Sequence, residues 1–320
     1  MTARGLVRRV ATRIPVVKGL AEAYRLKSQM SDSPALKESL SYASPLPSLS
    51  EIRADRERIF AIPDAIPGVD LNVEGQKSLG LELAPFVADC PFPEAATPPW
   101  RYHGGNSWFS WGDSLVLHAL IRHLRPPTIL EMGSGFSSAV ILDTVEHYLA
   151  DTTRCTFIEP YPDRLRSLLR PDDERRSEVI VERVQNVGLG PFLKLKAGDI
   201  LLIDSSHVAK VGSDVNWLVF EVLPRLGPGI YVHFHDIFYP FEYPEFWFER
   251  GFAATEAYLL RAFLMFNPRF AVAFWNDYLK KRQEPWLRQH LPNLFKGWST
   301  SIWLRTTEAA SAPAVGVAGS

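Results

Sequence analysis

The chain has 320 residues, 46% hydrophobic and 22% charged, with 35 Lys and Arg against 36 Asp and Glu for a net charge of −1. That composition builds a globular core and allows one large domain or two small ones; it excludes a protein whose main work is gripping phosphate backbones. Two cysteines, Cys90 and Cys155, exclude a disulfide framework and a cysteine-rich zinc site.

Residues 1–28 carry seven basic side chains against one acid, Glu22, and Leu6, Val10, Val17 and Leu20 form a stripe that Pro15 interrupts. This reads as a solvated leader with weak contact to a membrane surface. Eight serines and three prolines over 28–50 mark a linker, so 1–50 is set apart as a basic segment and linker. A signal peptide is not expected, and no stretch reaches the roughly 18 apolar residues of a membrane span. The best, 251–266, is broken by Glu256 and Arg261. The expected location is cytoplasmic, or peripheral to the inner membrane surface.

Residues 51–127 form an N-terminal helical cap region. It ends in Arg101–Asp113 and a helix over 114–124. From 128 a regular alternation begins, running to 305. Strands are expected at 128–131, 155–159, 178–182, 200–204, 229–236, 270–275 and 299–304, and helices at 136–148, 162–169, 211–226 and 253–266. The end, 306–320, is small-residue tail. Strands alternating with helices imply an α/β, doubly wound, mostly parallel sheet, whose ligands bind beyond the carboxyl ends of the strands. Glu131, Glu159, Asp204, His235 and Asp236 all fall at such ends.

The first strand runs into Glu131-Met-Gly133-Ser134-Gly135-Phe-Ser137-Ser138. Gly133 and Gly135 let backbone approach a ligand closely. Ser134, Ser137 and Ser138 offer hydroxyls, and the N–H groups of the helix start favour an anion. Glu131 disfavours a pyrophosphate but can orient a cationic ligand. A dinucleotide fingerprint wants a third glycine where Ser138 stands. Glu159, closing the second strand, can accept from both hydroxyls of a ribose. A ligand with an adenosine ribose, a carboxylate and a cationic group, but no phosphate, fits this set. S-adenosylmethionine has all three.

With its Glu-x-Gly-x-Gly turn at 131–135, the chain resembles the class I SAM-dependent methyltransferases over roughly 100–305. The segments 71–76, 205–210 and 235–244 are similar to the branch called methyltransferase type 24. The resemblance implies a Rossmann-like seven-stranded sheet with an antiparallel terminal strand. It also implies an upstream segment folded over the cofactor, with Asn106 and Arg101 as candidates to hold the methionine carboxylate.

Asp204 and His207 follow the fourth core strand, and His233, His235 and Asp236 end the fifth. His233 and His235 share one face. Two jobs suit the cluster. One is general base catalysis on an acceptor hydroxyl, by His207 or else His235, with Asp204 or Asp236 orienting the ring. The other is a divalent metal such as Mg2+ on Asp204 and Asp236, holding vicinal hydroxyls. Residues 234–252 hold nine aromatics in nineteen positions and are expected to form a lid or substrate wall. The expected partners are a small-molecule or glycan acceptor and a second copy of the chain as a homo-oligomer, with no nucleic acid. The leading expectation is O-methylation. Its alternatives are an NAD(P)-dependent oxidoreductase on a similar sheet and a non-catalytic binding protein of the same fold.

Overall fold

The computed structural model describes residues 46, 48–149 and 152–308. The basic leader, most of the linker and the tail beyond 308 lie outside the described residues. The chain divides into two units, Met1–Arg56 with Phe248–Ala253, and Glu57–Trp247 with Ala254–Ser320. In the first, the Ser48 hydroxyl caps the helix Leu49–Ala54 by accepting from the Glu51 N–H, and Arg53 pairs with Glu249 at 3.3 Å. Among the described residues no helix is long and apolar enough to cross a membrane.

The second unit holds the sheet. Its strands are β1 (Thr128–Met132), β2 (Arg154–Ile158), β3 (Ser177–Ile180), β4 (Ile200–Ile203), β5 (Tyr231–Phe234), β6 (Phe270–Trp275) and β7 (Ile302–Thr306), in the order β3-β2-β1-β4-β5-β7-β6. β1 to β5 pair in parallel, and β7 runs antiparallel to both β5 and β6. β4 is Ile-Leu-Leu-Ile, buried throughout, as a parallel strand covered on both faces must be.

Register explains the site. Met132 lies opposite Ile158 and Ile203, and Ile203 opposite Phe234. The next residues, Gly133, Glu159, Asp204 and His235, therefore leave the sheet side by side. The ladder continues one step past the strands: Asp204 N–H donates to the Met132 carbonyl and His235 N–H to that of Ile203, both at 3.0 Å.

Helices α1 (Val73–Ala88) and α2 (Trp111–Leu124) form the expected N-terminal helical extension. α2 is buried from Gly112 to Ile121, which requires apolar residues nearly all round. It packs between α1 and α3 (Phe136–Tyr148). After β2 comes α4 (Asp163–Leu168), with Pro162 capping it rather than opening its first turn. The helix expected over 211–226 is broken. It is α-helical at Asp214–Trp217, widens to a π-turn at Leu218–Val222 and tightens to a 3-10 turn at Leu223–Arg225. Pro224 has no N–H to continue an α ladder, which accounts for the change. Beyond β5, α5 (Glu256–Leu264) precedes β6.

Candidate active site

The glycine turn follows from a steric demand and a charge. Gly133 has φ +77, and a Cβ there would run into the Asp204 carbonyl, so only glycine lets the β1 and β4 ends touch. Glu131 is fully buried. Its Oε2 accepts from the Ser138 hydroxyl, which in turn accepts from the Gly135 N–H at 2.9 Å. Oε1 has no partner, nor does the buried Ser134 hydroxyl. Burial pushes the Glu131 carboxyl up to about 8, against the hydroxyls of Ser137 and Ser138. Glu159 accepts from the N–H of Ser134 at 3.0 Å and that of Tyr161 at 2.7 Å. A buried carboxyl and hydroxyl left open beside a glycine turn fit a polar, cationic ligand, so the residues expected to hold S-adenosylmethionine do come together.

The upstream segment reaches this turn. The Arg164 guanidinium stacks over Trp108 at 3.5 Å, its Cδ would sit 3.0 Å from a Cβ on Gly135, and the His103 ring meets Phe136 at 5.5 Å. Two expectations need correction. Asn106 is spent on its own turn: Nδ2 donates to the carbonyls of His103 and Phe109, while Oδ1 accepts from the N–H groups of Trp108 and Phe109. Arg101 is buried against Asp143, Glu146 and Asp173, each at 2.7 Å. Both side chains hold the fold, and neither amide nor guanidinium is offered to a ligand carboxylate.

The histidine cluster assembles at the ends of β4 and β5. His207 Nδ1 lies 2.8 Å from Glu256 Oε2, whose other oxygen accepts from the Ser205 hydroxyl at 2.8 Å. His207 Nε2 lies 3.4 Å from Asp204 Oδ1 and 3.9 Å from Asp236 Oδ2. Burial opposes the charged ring, but Asp204 and Glu256 hold its pKa well above 6.5. Burial likewise works against the Asp204 carboxylate, and the charges of His235 and His207 still keep its pKa below the usual range. His207 has φ +59 and Asp236 +55, a left-handed backbone that non-glycine residues adopt only when surroundings impose it. The expected pair of histidines does share a face: the rings of His233 and His235 stack at 5.8 Å. His233 is the structural one, with Nε2 2.8 Å from the Ser301 hydroxyl and burial pressing its pKa to about 3.

The metal expected on Asp204 and Asp236 does not fit this arrangement. The His207 ring already lies near both carboxylates, and Asp236 Oδ1 accepts from the Thr300 hydroxyl at 2.8 Å. Among the described residues no group of three or more His, Cys, Asp or Glu could hold a metal ion.

A cavity of about 330 Å³ opens here, lined by His235, Asp236 and Thr300 together with Trp108, Phe238, Phe246, Trp247 and Trp298. The aromatic segment after β5 thus splits in role. Tyr239, Phe241 and Tyr243 are buried, with Phe241 on Trp275 at 4.6 Å, while Phe246 and Trp247 wall the cavity.

Two acids escaped sequence reasoning. Glu256 was visible only as a charge interrupting an apolar stretch. Asp113, in the first turn of α2, is 1% exposed and knots the chain ahead of β7. Oδ1 accepts from the N–H groups of Thr300 and Ser301, the Ser301 hydroxyl and Asn276 Nδ2, and Oδ2 from the Ser110 hydroxyl.

Residues 130–237 match the model of a family described as a methyltransferase domain. An uncharacterized protein of Archaeoglobus fulgidus is 34% identical over 160 residues, 48% of this chain and 72% of the relative. The chain belongs to the class I SAM-dependent methyltransferases. Solved structures similar to this methyltransferase include the O-methyltransferase TomG of Streptomyces achromogenes, involved in tomaymycin synthesis and seen with SAM. It is 15% identical, with 80% of this chain and 96% of TomG covered and a TM-score of 0.40. The SAH-bound Podospora anserina methyltransferase PaMTH1 is 14% identical, with 82% and 98% covered and a TM-score of 0.39.

Proposed function

We propose that the methyltransferase methylates a hydroxyl oxygen of a small molecule or glycan, with His207 as the general base. The observation that carries this reading is the Glu256–His207 pair. A buried carboxylate holds Nδ1, and Nε2 faces Asp204 and Asp236, of which Asp236 lines the aromatic cavity. This is how an imidazole is fixed in one tautomer for proton transfer.

S-adenosylmethionine, when bound, supplies a methyl group on a sulfonium. Glu131, Gly133, Ser134, Gly135, Ser137 and Ser138 would hold its methionine end, and Glu159 its ribose. The chain's own work is the rest. The aromatic walls exclude water and stack on the acceptor. Asp236 and Thr300 orient the hydroxyl, and His207 Nε2 takes its proton. Glu256 stabilises the resulting imidazolium. In the ligand-free protein burial works to lower the His207 pKa, and Asp204 and Glu256 raise it.

The test is release of S-adenosylhomocysteine across a panel of phenols, glycosides and hydroxylated acids, with and without chelator. His207→Gln should lower kcat by about 10²- to 10⁴-fold while S-adenosylmethionine still binds by calorimetry, and chelator should change nothing. Full turnover in His207→Gln would remove the base; loss of turnover with chelator would restore the metal.

A further inference from the structure

A second cavity of about 470 Å³ adjoins the aromatic one and shares Trp298 and Thr300 with it. Its lining includes Lys280, Lys296, Ser299 and Asp277. Asp277 shares its charge with Lys280, but its Oδ2 is engaged by Lys281 Nζ and by the Tyr239 N–H, both at 2.7 Å. The lining therefore carries two ammonium groups against one carboxylate that a third lysine also holds. Lys280 spends one N–H on the Gly297 carbonyl at 2.7 Å, leaving two. Lys296 is exposed, its Nζ 5.7 Å from the Trp111 ring centroid. Ser299 is 3% exposed and its hydroxyl has no partner. The cavity therefore joins two ammonium groups to a buried hydroxyl whose hydrogen-bonding capacity is unused. The neighbouring cavity ends instead on the carboxylate of Asp236.

We propose that this second cavity binds an anionic group of the acceptor, a carboxylate or a phosphate, on Lys280, Lys296 and Ser299, while the hydroxyl to be methylated stands beside Asp236 and His207. The inference rests on reading the aromatic cavity as the acceptor site. Charge then sets a single orientation. An anion is repelled by Asp236 in the aromatic cavity and attracted by the two lysines of the second one, so the acceptor enters with its hydroxyl toward the base. A neutral acceptor would leave the Ser299 hydroxyl and the lysines without the partner their arrangement calls for.

The experiment is calorimetric titration of the full chain with inorganic phosphate and, separately, with acetate, at constant ionic strength set by chloride. Saturable binding of at least one anion is expected. It should weaken roughly tenfold or more in Lys296→Met and in Lys280→Gln, whose amide still donates to the Gly297 carbonyl and keeps that loop in place. Saturation by phosphate alone or by acetate alone supports the site and names the source of the charge. No saturable heat in the wild type, or unchanged affinity in both variants, overturns it. Neither readout needs methyl transfer, so an inactive His207 hypothesis and a missing anion site give different results. S-adenosylmethionine affinity, measured alongside, should be the same in all three proteins.

Discussion

His207 is held by two kinds of constraint. Its backbone sits at φ +59, and its ring is clamped by a carboxylate on each side. A strained residue fixed this firmly is a group whose orientation matters more than its comfort. In the proposed reaction Glu256 acts through His207 and is a positioning residue. Glu256→Gln keeps an oxygen for the Nδ1 proton but removes the charge. Glu256 is among the groups that raise the His207 pKa, so its neutral replacement lowers that pKa. The rising limb of log kcat against pH should therefore move to lower pH, and kcat above the limb should fall. Glu256→Asp, which restores charge, should move the limb back. An unmoved limb in Glu256→Gln would mean that another group titrates.

Among the elements, β7 depends on a residue far away in sequence. Asp113 on α2 gathers the backbone of Thr300 and Ser301, and Thr300 in turn donates to Asp236. Asp113→Ala leaves two buried N–H groups and an asparagine amide unpaired. It should destabilise the fold by roughly 2–4 kcal/mol in denaturant unfolding, and it should raise acceptor KM more than S-adenosylmethionine Kd. Such a link shows what could and could not be read from the chain. Apolar runs ended by acids located β1, β2, β4 and β5, and with parallel pairing they placed Glu131, Glu159, Asp204 and Asp236 at one edge. Those signals are local. Glu256 meets His207 across 49 positions and Asp113 meets Thr300 across 187, and nothing in residue spacing encodes such pairings. Asn106 misled for the opposite reason. An Asn in a Gly-rich turn looks the same whether it faces a ligand or caps its own loop, and only its four backbone bonds tell the two apart.

Across the whole molecule, the cluster predicts how stability follows pH. Asp204 has a depressed pKa, so its contribution is present above its ordinary value of 3.8 and lost as pH falls below it. His207 and Glu131 have raised values, so theirs are complete below 6.5 and 4.5 respectively and are lost as pH rises. For Glu131 the loss runs from 4.5 to about 8, and for His207 it begins at 6.5. His233 and His118, which burial presses to about 3, lose their contribution as pH falls below 6.5. The ligand-free protein should therefore melt highest at about pH 6 and decline toward pH 9. Glu131→Gln, with no proton to lose, should flatten the alkaline decline and raise Tm at pH 8, at the same time weakening S-adenosylmethionine binding. A decline as steep in Glu131→Gln as in the wild type would show that this carboxyl is not the group responsible.

The aromatic wall divides labour with the strand ends in a way that bears on how such enzymes diversify. Trp108 and Trp298 are 60% and 61% exposed and sit on loops, whereas Glu131, Glu256 and Asp113 are almost wholly enclosed. Exchanging an exposed ring disturbs little else, while exchanging an enclosed acid threatens the whole fold. Descendants of this scaffold can therefore alter loop side chains freely, with the enclosed acids inherited intact.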